Sequence, residues 1–178
     1  MNDDAWGLDE PLEGSGAAGD LAWRETYVVF FESAARPTLT QLEAAVGNAG
    51  RRMVMENLQA NDDGHFKSVM VQAPEDNAAL DIRYEEGEAI TERVMTLANQ
   101  MREELDDSQM AQLLNADAWL EVMHFEKMTA PTDDFGEEPD DMMGPEGLDP
   151  ASLITVIEAL AHLTDGLPID PEAGEVLV

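Results

Sequence analysis

The sequence predicts an α+β fold built on an antiparallel sheet, and three segments carry that reading. Glu25-Thr26-Tyr27-Val28-Val29-Phe30-Phe31 is a run of β-branched and aromatic residues bounded by Arg36-Pro37, the composition of a strand. Leu80, Ile82 and Tyr84 alternate with Asp81, Arg83 and Glu85, the period-two pattern of a half-exposed strand. From Glu88 to Leu105, the residues Ile90, Val94, Leu97, Met101 and Leu105 form one stripe of an amphipathic helix. At 178 residues and 44% hydrophobic content, the chain is about one domain's worth and can bury a core.

Residues 1–23 mix Asp and Glu with Gly, Pro and Ala and offer too little apolar surface to offset the entropy of ordering. They are expected to be a disordered acidic tail. After the first strand, Thr40-Gln41-Leu42-Glu43 has the capping-box pattern, and Leu39, Leu42, Val46 and Ala49 recur at helical spacing before Gly50. Arg52 to Leu58 and Phe66 to Val71 read as a hairpin whose turn is Asn61-Asp62-Asp63-Gly64. The alternating strand around Leu80 to Glu85 follows, then the long helix. A short helix is expected from Ser108 to Leu114 and a last strand from Ala118 to Phe125.

Across residues 24–128 the order is strand, helix, three strands, helix, strand. Without the extra hairpin strand this resembles the split βαβ, ferredoxin-like arrangement, which implies an antiparallel sheet with both helices on one face. The resemblance is one of element order. Residues 129–148 read as an acidic linker, and 149–178 as a C-terminal helix and short strand added to the core. Asp149-Pro150 offers an N-cap with proline at the first helical position, Leu153, Ile154, Ile157, Leu160 and Ala161 form the stripe, and Gly166 is the expected C-cap. Leu167-Pro168-Ile169-Asp170-Pro171 reads as a constrained loop before a short edge strand at Val176-Leu177-Val178.

The two inner strands are apolar on both sides. Val28 and Phe30 oppose Tyr27, Val29 and Phe31, while Leu120 and Val122 oppose Trp119, Met123 and Phe125. Helices on one side leave the second face to be covered by the C-terminal helix, a second copy of the chain or a ligand. Monomer and homodimer are therefore both open.

The chain carries 39 acidic and 9 basic residues, a net charge of −30. Every basic residue lies between Arg24 and Lys127, so both flanks carry acid alone. Nucleic acid and anionic membranes attract clustered Lys and Arg and would repel this chain. A basic protein remains as partner, and adaptation to salt would explain the same charge. With no cysteine there is no disulfide or thiolate chemistry, as in a reducing compartment. No signal-peptide pattern follows Met1-Asn2-Asp3-Asp4, and no apolar run reaches the ~20 residues of a membrane span. A cytoplasmic location is expected.

No residue pattern marks catalysis. His124 has Val122 and Glu126 as same-face neighbours, but no nucleophile is tied to it by spacing. His65 reads as a hairpin residue, and His162 as a cation near a helix C-terminus. Counting back from Gly64, the EF-hand pattern fails at Gln59, and Met70 stands where glutamate is required. Nucleotide-binding glycine motifs and the serine elbow are missing from the sequence, and no cofactor or metal is implied. The eleven methionines read mainly as adaptable core filler.

One segment differs in kind. Between Thr132 and Gly144, Phe135 and Met142-Met143 are interleaved with carboxylates, Asp140 and Asp141 among them, in the style of an acidic recognition peptide. Phe135, Asp140, Asp141, Met142 and Met143 are the candidate partner-binding residues. The functional expectation is a non-enzymatic acidic interaction module, an adaptor or inhibitor of a basic partner. The alternative is a small-molecule-binding or weakly catalytic ferredoxin-like domain with a pocket between sheet and C-terminal helix.

Overall fold

The first strand, β1, starts earlier than its composition suggests, at Leu21, and runs to Phe31. In the computed structural model, which describes residues 21–49, 52–128 and 151–177, Leu21, Ala22 and Trp23 pair with Lys127, Glu126 and Phe125. Ordered pairing thus replaces the last three residues of the expected tail, because β5 (Ala118–Lys127) also runs past Phe125 and offers them a ladder. The other α-helices and strands among the described residues are α1 (Leu39–Asn48), β2 (Val54–Ala60), β3 (Phe66–Ala73), β4 (Ala78–Glu86), α2 (Glu88–Gln100), α3 (Asp107–Leu114), α4 (Ala151–Thr164), β6 (Leu167–Asp170) and β7 (Glu175–Val176).

Seven strands form one antiparallel sheet in the order β2-β3-β4-β5-β1-β6-β7. The α+β class and the order of elements along the chain are as expected, but the split βαβ arrangement is not what the strands adopt. It would seat β1 between β4 and β5, whereas β5 lies between β4 and β1. The helix after β4 therefore joins two adjacent antiparallel strands.

The helices also divide between the two faces. Val29, Phe31, Leu80, Ile82, Leu120 and Val122 pack with Leu42 and Val46 of α1 and with Leu153, Val156, Ile157 and Leu160 of α4. Val28, Phe30, Leu167 and Ile169 pack on the opposite side with Ile90, Val94, Leu97 and Ala98 of α2 and Leu113 of α3. The expectation of both core helices on one face fails because α1 and α2 leave the sheet on opposite sides. The C-terminal helix covers the Tyr27, Val29 and Phe31 face together with α1, so the face considered for a second copy is filled by the chain itself.

Local chemistry explains several boundaries. The capping box of α1 is formed by Thr38 and Gln41, two residues earlier than Thr40 and Glu43: Gln41 N donates to Thr38 Oγ1 (3.2 Å) and Thr38 N donates to Gln41 Oε1 (2.9 Å). A second box, Asp106 with Gln109, starts α3 and stops α2 short of Leu105, although Leu105 stays buried in the turn between them. In α4 the buried stripe uses Val156, while Ile154 is 43% exposed. Its left-handed terminal residue is Asp165 at φ 51°, and Gly166 N donates to Ala161 O at 2.9 Å. Gly166 instead permits close approach: a Cβ there would lie 2.6 Å from Val29 Cγ1 and 2.9 Å from Phe30 O.

Leu167–Asp170 is a strand rather than a loop, and the edge strand β7 begins at Glu175. Pro168 is tolerated in β6 because its carbonyl accepts from Leu177 N (2.9 Å). Its missing N–H therefore faces the short β7 side and not the ladder with β1. In the β2–β3 turn, Asn61 Oδ1 accepts from Asp63 N (3.1 Å) and His65 N (2.8 Å), with Gly64 at φ 82°.

Candidate binding face

Residues paired directly across antiparallel strands share a face, so the register assembles surfaces that no single strand reveals. On the α2 side, one row runs Glu56, Met70, Asp81, Met123 and Thr26 across β2, β3, β4, β5 and β1. A second runs Gln59, Ser68, Arg83, Glu121 and Val28, and a third runs Val54, Gln72, Ala79, Phe125 and Trp23. On this face α2 and α3 pack with Val28 and Phe30 of β1, Leu167 and Ile169 of β6 and Trp119 of β5, and α2 also approaches β4 and β5. Among the described residues the face stays open over β2, β3 and β4: Val54, Glu56, Gln59, Arg83 and Glu85 are exposed, Ser68, Met70, Gln72, Glu121, Met123 and Phe125 half-buried, and Ala79 and Asp81 between them buried.

Among the described residues this open half carries Glu56, Asp81, Glu85 and Glu121 against Arg83 at its centre, with Lys127 on the same face at the end of β5, two residues beyond Phe125. The Arg83 guanidinium is committed to its own strand, donating to Asp81 Oδ2 from Nε (3.1 Å) and Nη2 (2.6 Å), and that pairing holds the guanidinium charged. No hydrogen bond or ion pair among the described residues reaches the Glu121 carboxylate. Burial pushes the Glu121 carboxyl above its usual range; Glu85 and Asp81 add to the shift and Arg83 opposes it. Gln72 Nε2 donates to Glu56 Oε2 at 3.4 Å, and Gln72 Oε1 is buried with no donor. Methionines and Phe125 form the floor, carboxylates surround it, and at least one acceptor is unsatisfied. Such a surface can receive a cationic group borne on an apolar scaffold.

The other face holds the histidine singled out from the sequence. His124 is 4% exposed, and its Nδ1 lies 3.0 Å from Glu25 Oε1 on the neighbouring strand. Its partner is thus not Glu126, which pairs with Arg24. Burial raises the Tyr27 phenol pKa, reinforced by the charges of Glu25 and Asp170 and by a hydrogen bond to Glu25. These groups tie β1 to β5 within the covered face and line no described cleft. His65 is half-buried beside Thr38, and His162 is exposed in the last turn of α4. The space between sheet and α4 is filled by Val156, Ile157 and Leu160, each at most 2% exposed. A groove of about 400 Å³ lies instead between α2 and α3, lined by Met95, Ala98, Arg102, Leu105, Met110 and Leu114 among others.

Phe135, Asp140, Asp141, Met142 and Met143 lie outside the described residues. The ends of their segment are described: Lys127 N donates to Asn77 O (2.8 Å), and Ser152 Oγ donates to Asp76 Oδ2. Both attach to the corner preceding β4. Glu56, Asp81 and Glu121 were missed as a group because each looks like an ordinary exposed position within its own strand. Glu121 carried the one local signal, a carboxylate between Trp119 and Met123 in an otherwise apolar run.

Among the described residues no cluster of three or more His, Asp or Glu side chains could hold a metal ion, and no helix is long and apolar enough to cross a membrane. No family model matches this chain, and no curated protein or solved structure gives a match either.

Proposed function

We propose that this protein is a non-enzymatic interaction module that binds a basic protein partner on the open half of its sheet. The observation that carries the reading is Glu121: a half-buried carboxylate, close to Glu85 and Asp81, that no hydrogen bond or ion pair reaches among the described residues, since the facing Arg83 bonds to Asp81. Desolvation and like charge both disfavour its ionised form, and a cationic group placed beside it would offset both. Carboxylates around an apolar floor would speed encounter with a basic surface, while Met70, Met123 and Phe125 would lengthen the complex's lifetime. The chain's −30 charge supports the same sign of partner. The segment holding Phe135, Asp140, Asp141, Met142 and Met143 is proposed as a second, auxiliary contact.

The test immobilises wild-type protein and a Glu56→Gln/Glu85→Gln/Glu121→Gln variant side by side in native lysate. Basic proteins retained by the wild type, released by salt and lost from the variant support the reading. Retention of the same proteins by both overturns it.

A further inference from the structure

Resting on that reading, we infer that the partner presents an amphipathic helix, with an apolar stripe flanked by Lys and Arg, which lies on the open half of the sheet beside α2. The first argument is spatial. Among the described residues α1 and α4 cover one face, whereas on the other α2 and α3 pack over β1, β6 and the Trp119 end of β5 and leave the rows nearer β2 without a helix. From β2 to β5 there are three strand spacings, about 14 Å at ~4.8 Å each, against a helix diameter of about 10–12 Å with its side chains. Along the strands the open rows extend over about four residues, or about 13 Å. That length seats roughly nine helical residues at 1.5 Å each.

The second argument is that the edges disfavour an added strand. β2 is interrupted by irregular pairing between Glu56 and Ala60, with Asn57 at φ 53°. β7 at the other edge has only two residues. Bulged and short edges resist strand addition, so an extended peptide gains little backbone pairing here. A helix satisfies its own backbone and needs only the floor of Met70, Met123 and Phe125 with carboxylates beside it.

The third argument is charge. A second copy of this chain would bring another −30, and residues 1–20 and 129–150 contain no Lys or Arg. Neither can neutralise Glu56, Glu85 and Glu121, whereas a helix with Lys or Arg flanking its stripe can.

The test uses the full chain with isotope-labelled methionine methyls and an 18-residue amidated peptide bearing a leucine stripe flanked by lysines. Two control peptides have the same length: one interrupted by two central prolines, one with glutamate in place of lysine. The expected result is saturable shifts at Met70 and Met123, with the groove methyls of Met95 and Met110 unmoved. Affinity should fall at least tenfold for the proline peptide, and the acidic peptide should not bind. Equal affinity for the helical and proline peptides overturns the helix inference while leaving the basic-partner reading intact. Failure of both lysine peptides to shift Met70 and Met123 overturns the reading itself. Magnetisation transfer between Met142 or Met143 and Met123 in the free protein would assign the face to the chain's own segment and overturn the inference.

Discussion

Arg83 sits directly opposite Glu121 in the β4–β5 ladder yet gives its hydrogen bonds to Asp81, two residues away on its own strand. A cross-strand Arg–Glu pair would have neutralised the centre of the open face. The observed choice instead pairs the buried Asp81, 9% exposed, with an exposed guanidinium and leaves Glu121 without a hydrogen bond or ion pair among the described residues.

Glu121 should therefore carry a cost in stability at neutral pH. Its carboxyl pKa is raised from 4.5 in the fold, so the folded state binds the proton more tightly than the unfolded chain. The associated stability is fully present below pH 4.5 and is lost as pH rises through the raised value. Glu121→Gln should be more stable than wild type at pH 7 by about 0.5 kcal/mol, a small figure because the group is partly solvated. Urea denaturation should show that difference closing as pH falls through the raised value toward 4.5.

Both tyrosines should resist ionisation in the folded protein. Burial and a 2.5 Å hydrogen bond to Glu86 push the Tyr84 phenol far above 10, and Tyr27 is shifted the same way. Raised pKa values mean stability that is intact below pH 10 and lost as pH climbs through the folded values. Ultraviolet titration should show little tyrosinate at pH 10 in the native protein, and its appearance should coincide with unfolding.

Gly166→Ala should destabilise by about 1–3 kcal/mol, the usual cost of overpacking a closed contact. The added Cβ meets Val29 Cγ1 and the Phe30 carbonyl, and the backbone atom cannot rotate away. Thermal melts should show the loss, whereas Gly47→Ala, with open space around it in α1, should be neutral or stabilising.

Removing the carboxylate beside the buried histidine should also weaken the fold. Glu25→Ala leaves His124 without the acceptor 3.0 Å away, at about 1–3 kcal/mol for an unsatisfied buried group. Glu25→Gln retains an oxygen and should recover part of it. Neither change should alter peptide binding, because Glu25 and His124 lie on the covered face.

The sequence carried the elements well wherever local chemistry decides them: the Ile90 to Met101 stripe, the Asn61 to Gly64 turn and the helix carrying Leu153, Ile157 and Leu160, whose expected Asp149-Pro150 start lies outside the described residues. It misplaced features that depend on partners distant in the chain. Leu167–Asp170 looks like a loop because Pro168 argues against a strand, and only its position beside β1, with the lost N–H turned toward β7, makes it one. Gly166 looked like a cap but is required by Val29. The ferredoxin-like expectation failed for the same reason, since element order does not specify whether β5 or β1 sits beside β4. The candidate face was hidden most deeply of all. Glu56, Asp81 and Glu121 come from three strands, and only the β2-β3-β4-β5 register joins them.

The most direct measurement is calorimetric titration of the lysine-flanked helical peptide into wild-type protein and into the Glu85→Gln/Glu121→Gln variant at low and moderate salt. Loss of two carboxylates at a partly solvated site is worth about 1–1.4 kcal/mol, so affinity should fall five- to tenfold in the variant, with a shallower salt dependence. Equal affinity and equal salt dependence for the two proteins would contradict the account, because the charge at Glu121 would then have no part in binding.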